Sequence, residues 1–181
     1  MTSTPLHPAL VHLPLGLAFI IPLLAIGFAW AIWTERIRAR GWLLVVLLQV
    51  VLVGGGILAV NTGEREEDRV ESTVPKQALK EHESFATQFV WLSGITLAVM
   101  LGAAVSRRPS VLKAATAAAV IGSFLVAGAA LRVGHAGGQL VYTYNAGAAY
   151  GANAGNKDTL MDPRSTQMSH MNASAEHHDD D

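Results

Sequence analysis

Four histidines, His7, His12, His82 and His135, are the side chains of this chain best suited to hold a metal ion or move a proton. Neutral imidazole is a common transition-metal ligand and an axial ligand of haem iron. Cysteine is absent, which excludes disulfides, thiolate metal sites, iron–sulfur clusters and covalently attached c-type haem. Any metal must therefore be held by His, Met, carboxylate or backbone. No Ser-His-Asp or paired-carboxylate arrangement with motif-grade spacing is present, so hydrolytic catalysis is not expected. An electron-transfer or accessory role fits better than a stand-alone enzyme. A lone histidine at a membrane edge is more often a satisfied polar residue than a ligand, so the reading depends on whether these four meet.

The elements that must position them are long and apolar. Of 181 residues, 51% are hydrophobic and only 15% charged, against roughly 25% charged in soluble domains. The apolar residues form blocks: Ala9 to Trp33 carries no Asp, Glu, Lys or Arg, and Trp42 to Asn61, Phe85 to Ser106 and Val111 to Arg132 are nearly as clean. Each approaches or exceeds the roughly 20 residues needed to cross a hydrocarbon core. The expected fold is therefore all-α, an integral membrane four-helix bundle over residues 1–147 with spans at about 9–33, 42–61, 85–106 and 111–132. Residues 148–181 read as a disordered polar tail. The first block does not read as a cleaved secretory signal, because Met1 to His7 contains no Lys or Arg and the apolar run is too long.

Charge sets the expected orientation. Glu35-Arg-Ile-Arg-Ala-Arg40 and Arg107-Arg108 with Lys113 form two short basic loops on one side, and the positive-inside rule places them in the cytoplasm. The acidic connection from Asn61 to Glu83 and both termini then lie outside, in the periplasm of a bacterial inner membrane. Pro75 can open a helix through Lys76 to His82 into the third span, with Ser72 or Thr73 as its cap. The net charge of −1 and dispersed basic residues give no nucleic-acid signal. The partner implied by composition is the lipid bilayer.

This topology gathers the scattered histidines. His7 and His12 open the first span, His82 precedes the third and His135 follows the fourth, so all four fall at one face. His7 and His12, five residues apart, differ by about 140° on a helix and cannot share a face. His12, inside the second turn, is expected to point into the bundle, with His7 at the cap. Gly54, Gly55 and Gly56 lie just beneath this layer on the second span and could floor a site for something large and flat. Helix packing explains consecutive glycines equally well. Gly134, Gly137 and Gly138 permit either a tight turn or close approach to a bulky neighbour.

The motifs His7-Pro-Ala-Leu-Val-His-Leu-Pro14, His82-Glu83 and Gly134-His-Ala-Gly-Gly-Gln-Leu-Val-Tyr142 resemble those of the domain of unknown function 2231 family of bacterial membrane proteins, over Leu6 to Gly147. The resemblance implies four membrane spans and motif histidines at His7, His12, His82 and His135. Similar domains stand near or fused to cytochrome modules, which implies a redox context. Ala136 departs from the larger apolar residue expected there, and the polar tail lies beyond the resemblance.

Three functions follow as expectations. The first is a b-type haem protein, with two axial ligands from His12, His82 and His135, His7 and the three glycines completing the site, and a periplasmic or membrane redox partner. The second is a bare copper or zinc site on His12, His82 and His135 with Glu81 or Glu83, to which tail residues such as Met161, Met168, His170, Met171, His177 and His178 could contribute. The third is a non-catalytic accessory subunit of a membrane complex.

Overall fold

The computed structural model describes residue 7, residues 10–70 and residues 74–147, without the side chains of 66–69. Four helices account for nearly all of this: α1 (His12–Trp33), α2 (Trp42–Val70), α3 (Lys76–Val105) and α4 (Pro109–Tyr142), with a 3₁₀ turn at Ala39–Gly41 before α2. All four have the length and composition to cross a membrane. No strand occurs among the described residues. The expected caps Ser72 and Thr73 and the tail from residue 148 lie outside the described residues.

The helices pack in a ring, α1 on α2, α2 on α3, α3 on α4 and α4 back on α1. The bundle has an apolar core and also an apolar exterior, with a few polar side chains inside. Gln49, Ser93, Thr96, Thr116 and Ser123 are buried, while Leu23, Leu47, Leu58, Trp91, Val105 and Leu131 are exposed. Lipid solvates such a surface, and small or hydroxyl-bearing residues let the backbones approach along the interior. Side chains of the span interiors bond across helices: Trp33 Nε1 donates to Thr116 Oγ1 (3.0 Å), Trp42 Nε1 to the Met100 carbonyl (3.1 Å) and Gln49 Nε2 to the Ser93 carbonyl (3.0 Å).

A seven-residue spacing runs through the interior, as in coiled-coil seams. Pro14 and Ile21 on α1, Trp42, Gln49 and Gly56 on α2, Phe89, Thr96 and Ala103 on α3, and Thr116, Ser123 and Ala130 on α4 are all buried. Because neighbours run antiparallel, these positions stack in layers. Gly55 packs on Pro14 and Gly56 on Phe89, and one level lower Gly122 packs on Thr96.

Three helices extend further than the expected spans. At about 1.5 Å per residue, the 34 residues of α4 cover roughly 50 Å, against a hydrocarbon core of about 30 Å. α2 continues past Asn61 to Val70, α3 begins at Lys76, and α4 continues past Arg132 to Tyr142. The glycines at 134, 137 and 138 therefore make no turn; α4 ends instead where Ala146 N–H bonds the Leu140 carbonyl and Asn145 adopts φ 54°. α1 ends similarly, with Arg36 N–H on the Ala31 carbonyl and Glu35 at φ 58°.

Candidate histidine site

The start of α1, the end of α2, the start of α3 and the end of α4 meet at one end of the bundle. His7 stands seven residues before Pro14, Gly63 seven after Gly56, His82 seven before Phe89 and Gly137 seven after Ala130. Each continues the buried seam of its helix by two turns. The terminal layer is therefore His7, Gly63, His82 and Gly137, two imidazoles and two glycines.

The contacts bear this out. A Cβ on Gly63 would lie 3.2 Å from His7 Cε1, and one on Gly137 would lie 3.2 Å from His82 Cε1. Each ring thus occupies the place where its neighbour lacks a side chain. The two rings stand 6.3 Å apart between centroids, with their planes at 88°. His7 is carried by a helical turn ahead of α1, in which Val11 N–H bonds the His7 carbonyl at 3.1 Å.

His7 Nδ1 lies 2.8 Å from the Ala59 carbonyl. A carbonyl only accepts, so Nδ1 carries a proton and donates in this bond. His82 Nδ1 is buried with no hydrogen-bond partner among the described residues. A buried ring nitrogen without a partner among the described residues is uncommon.

Beside the two rings lies a cavity of about 50 Å³. Apart from the two imidazoles its walls are apolar, formed mainly by Pro14, Ala59, Ala86, Phe89 and Val133. No carboxylate among the described residues lines it. Among the described residues no group of three or more His, Asp or Glu is arranged to hold a metal ion.

Two of the four histidines do not join this site. His12 is exposed, so the expectation that it points inward is reversed. The 140° separation from His7 holds, and His7 takes the inward face because it is in phase with Pro14. His135 is also exposed, two residues out of phase with Gly137, and its Nε2 lies 3.3 Å from Gln139 Nε2 on its own helix. The proposed trio of His12, His82 and His135 is thus not assembled as one ligand set.

The three consecutive glycines act chiefly in packing. A Cβ on Gly55 would sit 3.4 Å from Pro14, and one on Gly56 would sit 3.3 Å from Phe89 and Val90; Gly54 faces open space. Only Gly56 reaches the cavity wall. The glycines that shape the histidine layer are Gly63 and Gly137.

A family model described as "Predicted membrane protein (DUF2231)" matches residues 3–150. No curated protein and no solved structure matches the chain.

Proposed function

The chain belongs to the DUF2231 family of predicted membrane proteins, and from that premise we propose that it is a b-type haem protein of the bacterial inner membrane, with His7 and His82 as the axial pair. The buried Nδ1 of His82, which has no partner among the described residues, supports this reading. Two imidazoles that would hold one ion by bonds of roughly 2 Å stand about 6 Å apart between ring centres, a separation that an edge-to-face ring pair also adopts. The observed separation is 6.3 Å.

Ligand number points the same way. A structural zinc site takes four protein ligands and a catalytic one three, whereas iron in a porphyrin asks the protein for two. The apolar walls suit a porphyrin face, and Gly63 and Gly137 remove bulk beside each ring. The cavity of about 50 Å³ is smaller than a porphyrin, so binding requires the helices around it to part. When bound, the haem would supply a one-electron couple. The chain's own part is to orient two imidazoles, fix the His7 tautomer through Ala59 and exclude water with an apolar wall. Bis-imidazole ligation leaves no open coordination position, which favours electron transfer over oxygen chemistry.

The basic residues Arg36, Arg38, Arg40, Arg107, Arg108 and Lys113 lie at the end of the bundle opposite the histidines. Positive charge favours the cytoplasm, so the histidine end faces the periplasm, within reach of a periplasmic or membrane redox partner.

The small cavity favours a second reading, a bare copper or zinc ion between the same two imidazoles. Metal analysis and visible spectroscopy on one detergent-purified sample separate the two. Stoichiometric iron with a Soret band supports haem; copper or zinc without a Soret band supports the bare ion. Neither metal nor a Soret band, after expression with ample haem, copper and zinc, removes both and leaves a non-catalytic accessory subunit.

A further inference from the structure

The two halves of the bundle repeat one another. α1–α2 and α3–α4 are helical hairpins that each enter from the histidine end, turn through a basic loop and return. A shift of 75 residues lays α1 on α3 with His7 on His82, and a shift of 74 lays α2 on α4 with Gly63 on Gly137. Any antiparallel ring of four helices repeats its burial pattern to some degree. Here residue types and contacts repeat as well. Gly27 and Gly54 fall on Gly102 and Gly128, and a Cβ on any of the four would meet open space. A Cβ on Gly63 or Gly137 would stand at the same 3.2 Å from Cε1 of the histidine in its own hairpin.

The cavity beside the rings shares this symmetry. In the same registers Val11 pairs with Ala86, Leu15 with Val90 and Ala59 with Val133. Together with the two histidines and with Pro14 and Phe89, these pairs supply ten of the twelve described residues around the cavity. It therefore lies on a pseudo-two-fold axis along the bundle, at the interface of the repeats, where membrane transporters built of repeats also place their sites. Such a site offers the same groups to both sides of its occupant. A ligand with two like faces fits it, and one with unlike ends does not.

Directional bonds tie the hairpins together away from the cavity. Trp33 Nε1 bonds Thr116 Oγ1 between α1 and α4, and Trp42 Nε1 bonds the Met100 carbonyl between α2 and α3, both toward the basic end. At the histidine end the bond from His7 Nδ1 to the Ala59 carbonyl stays within one hairpin, and Gly56 meets Phe89 and Val90 across the interface by apolar contact. A hinge at the basic end therefore lets the hairpins part at the histidine end, each carrying its own ring.

We infer that the histidine site consists of two equivalent half-sites, one His–Gly pair per hairpin, which open about that hinge and close on a ligand with two like faces: a metal ion, bare or at the centre of a flat macrocycle. The identity of the ligand rests on the haem reading; the equivalence and motion of the half-sites do not.

The test measures distances between paired spin labels on the purified full-length protein, which has no cysteine of its own. Arg65→Cys with Gln139→Cys labels α2 and α4, one in each hairpin, and Lys80→Cys with Gln139→Cys labels α3 and α4 within one hairpin; all three positions are exposed and outside the site. The probes are hemin, measured in the ferrous state, and zinc(II). Hemin, as a wedge, should lengthen the distance between hairpins beyond the width of its ligand-free distribution, and zinc(II), as a bridge, should narrow that distribution. Neither should change the distance within a hairpin. Either His7→Ala or His82→Ala alone should abolish both changes, as equivalent half-sites require. A Soret band on hemin addition with both distances unchanged keeps the haem reading and overturns the half-sites. Zinc(II) narrowing the distance between hairpins in a protein that takes up no hemin keeps the half-sites and discards the haem reading. Changes that are alike in both label pairs, that survive either histidine substitution, or that neither ligand produces overturn the inference.

Discussion

The imidazoles of His7 and His82, separated by 75 positions in sequence, stand edge to face at 6.3 Å with nearly perpendicular planes. Each is backed by a glycine of the next helix. The Nδ1 of His82 is buried without a partner among the described residues. The predictions below test what that pair does and what holds it.

Replacing Gly137 or Gly63 by Ala introduces a Cβ 3.2 Å from His82 Cε1 or His7 Cε1. Either change should shift its ring by a few tenths of an ångström and weaken cofactor retention about 10-fold, the usual scale for groups that orient a ligand. Helical content by circular dichroism should be unchanged. Retention equal to wild type in both variants would show that the rings are free to move without consequence.

Gly122→Ala should destabilise the bundle by about 1–3 kcal/mol, because the new Cβ would lie 2.9 Å from Thr96 Oγ1 and 3.1 Å from Thr96 Cγ2. Thr96 is β-branched and its Oγ1 is tied to the Leu92 carbonyl at 2.9 Å, so it cannot swing clear. Adding Thr96→Ala should recover most of the loss. Thermal denaturation of the two single variants and the double variant measures this coupling.

Gln49→Leu should alter stability by no more than about 1 kcal/mol. The change removes the bond from Gln49 Nε2 to the Ser93 carbonyl, worth about 0.6 kcal/mol on average within membranes. It also removes Gln49 Oε1, which is buried without a partner. The two effects offset each other, and a loss above 2 kcal/mol in a denaturation assay would show that Oε1 has a partner in the membrane.

Much of this was legible in the sequence. Charge-free blocks gave four helices, and the parity of four spans gathered the histidine-bearing ends at one face. Which histidines face inward differs from the expectation, and the pattern that decides it is present in the sequence. His7, Pro14 and Ile21, and likewise His82, Phe89, Thr96 and Ala103, keep a seven-residue spacing, and extending each buried seam by one repeat selects His7 and His82 and rejects His12 and His135. Reasoning from capping rather than from the seam favoured His12. The helical continuation through Gly134, Gly137 and Gly138 was obscured because glycine signals a turn in water, whereas in a membrane bundle it equally marks close packing. The burial of His82 Nδ1 without a partner among the described residues depends on side-chain placement in three dimensions, which no spacing encodes.

The central claim concerns the His7–His82 pair, and the reduced-minus-oxidised visible spectrum of the detergent-purified protein, expressed with ample haem, tests it most directly. The wild type should show the sharp bands of low-spin b-type haem, retained in His12→Ala and His135→Ala and lost in His7→Ala and His82→Ala. A wild-type protein with no Soret band, or bands that survive loss of both His7 and His82, would contradict it.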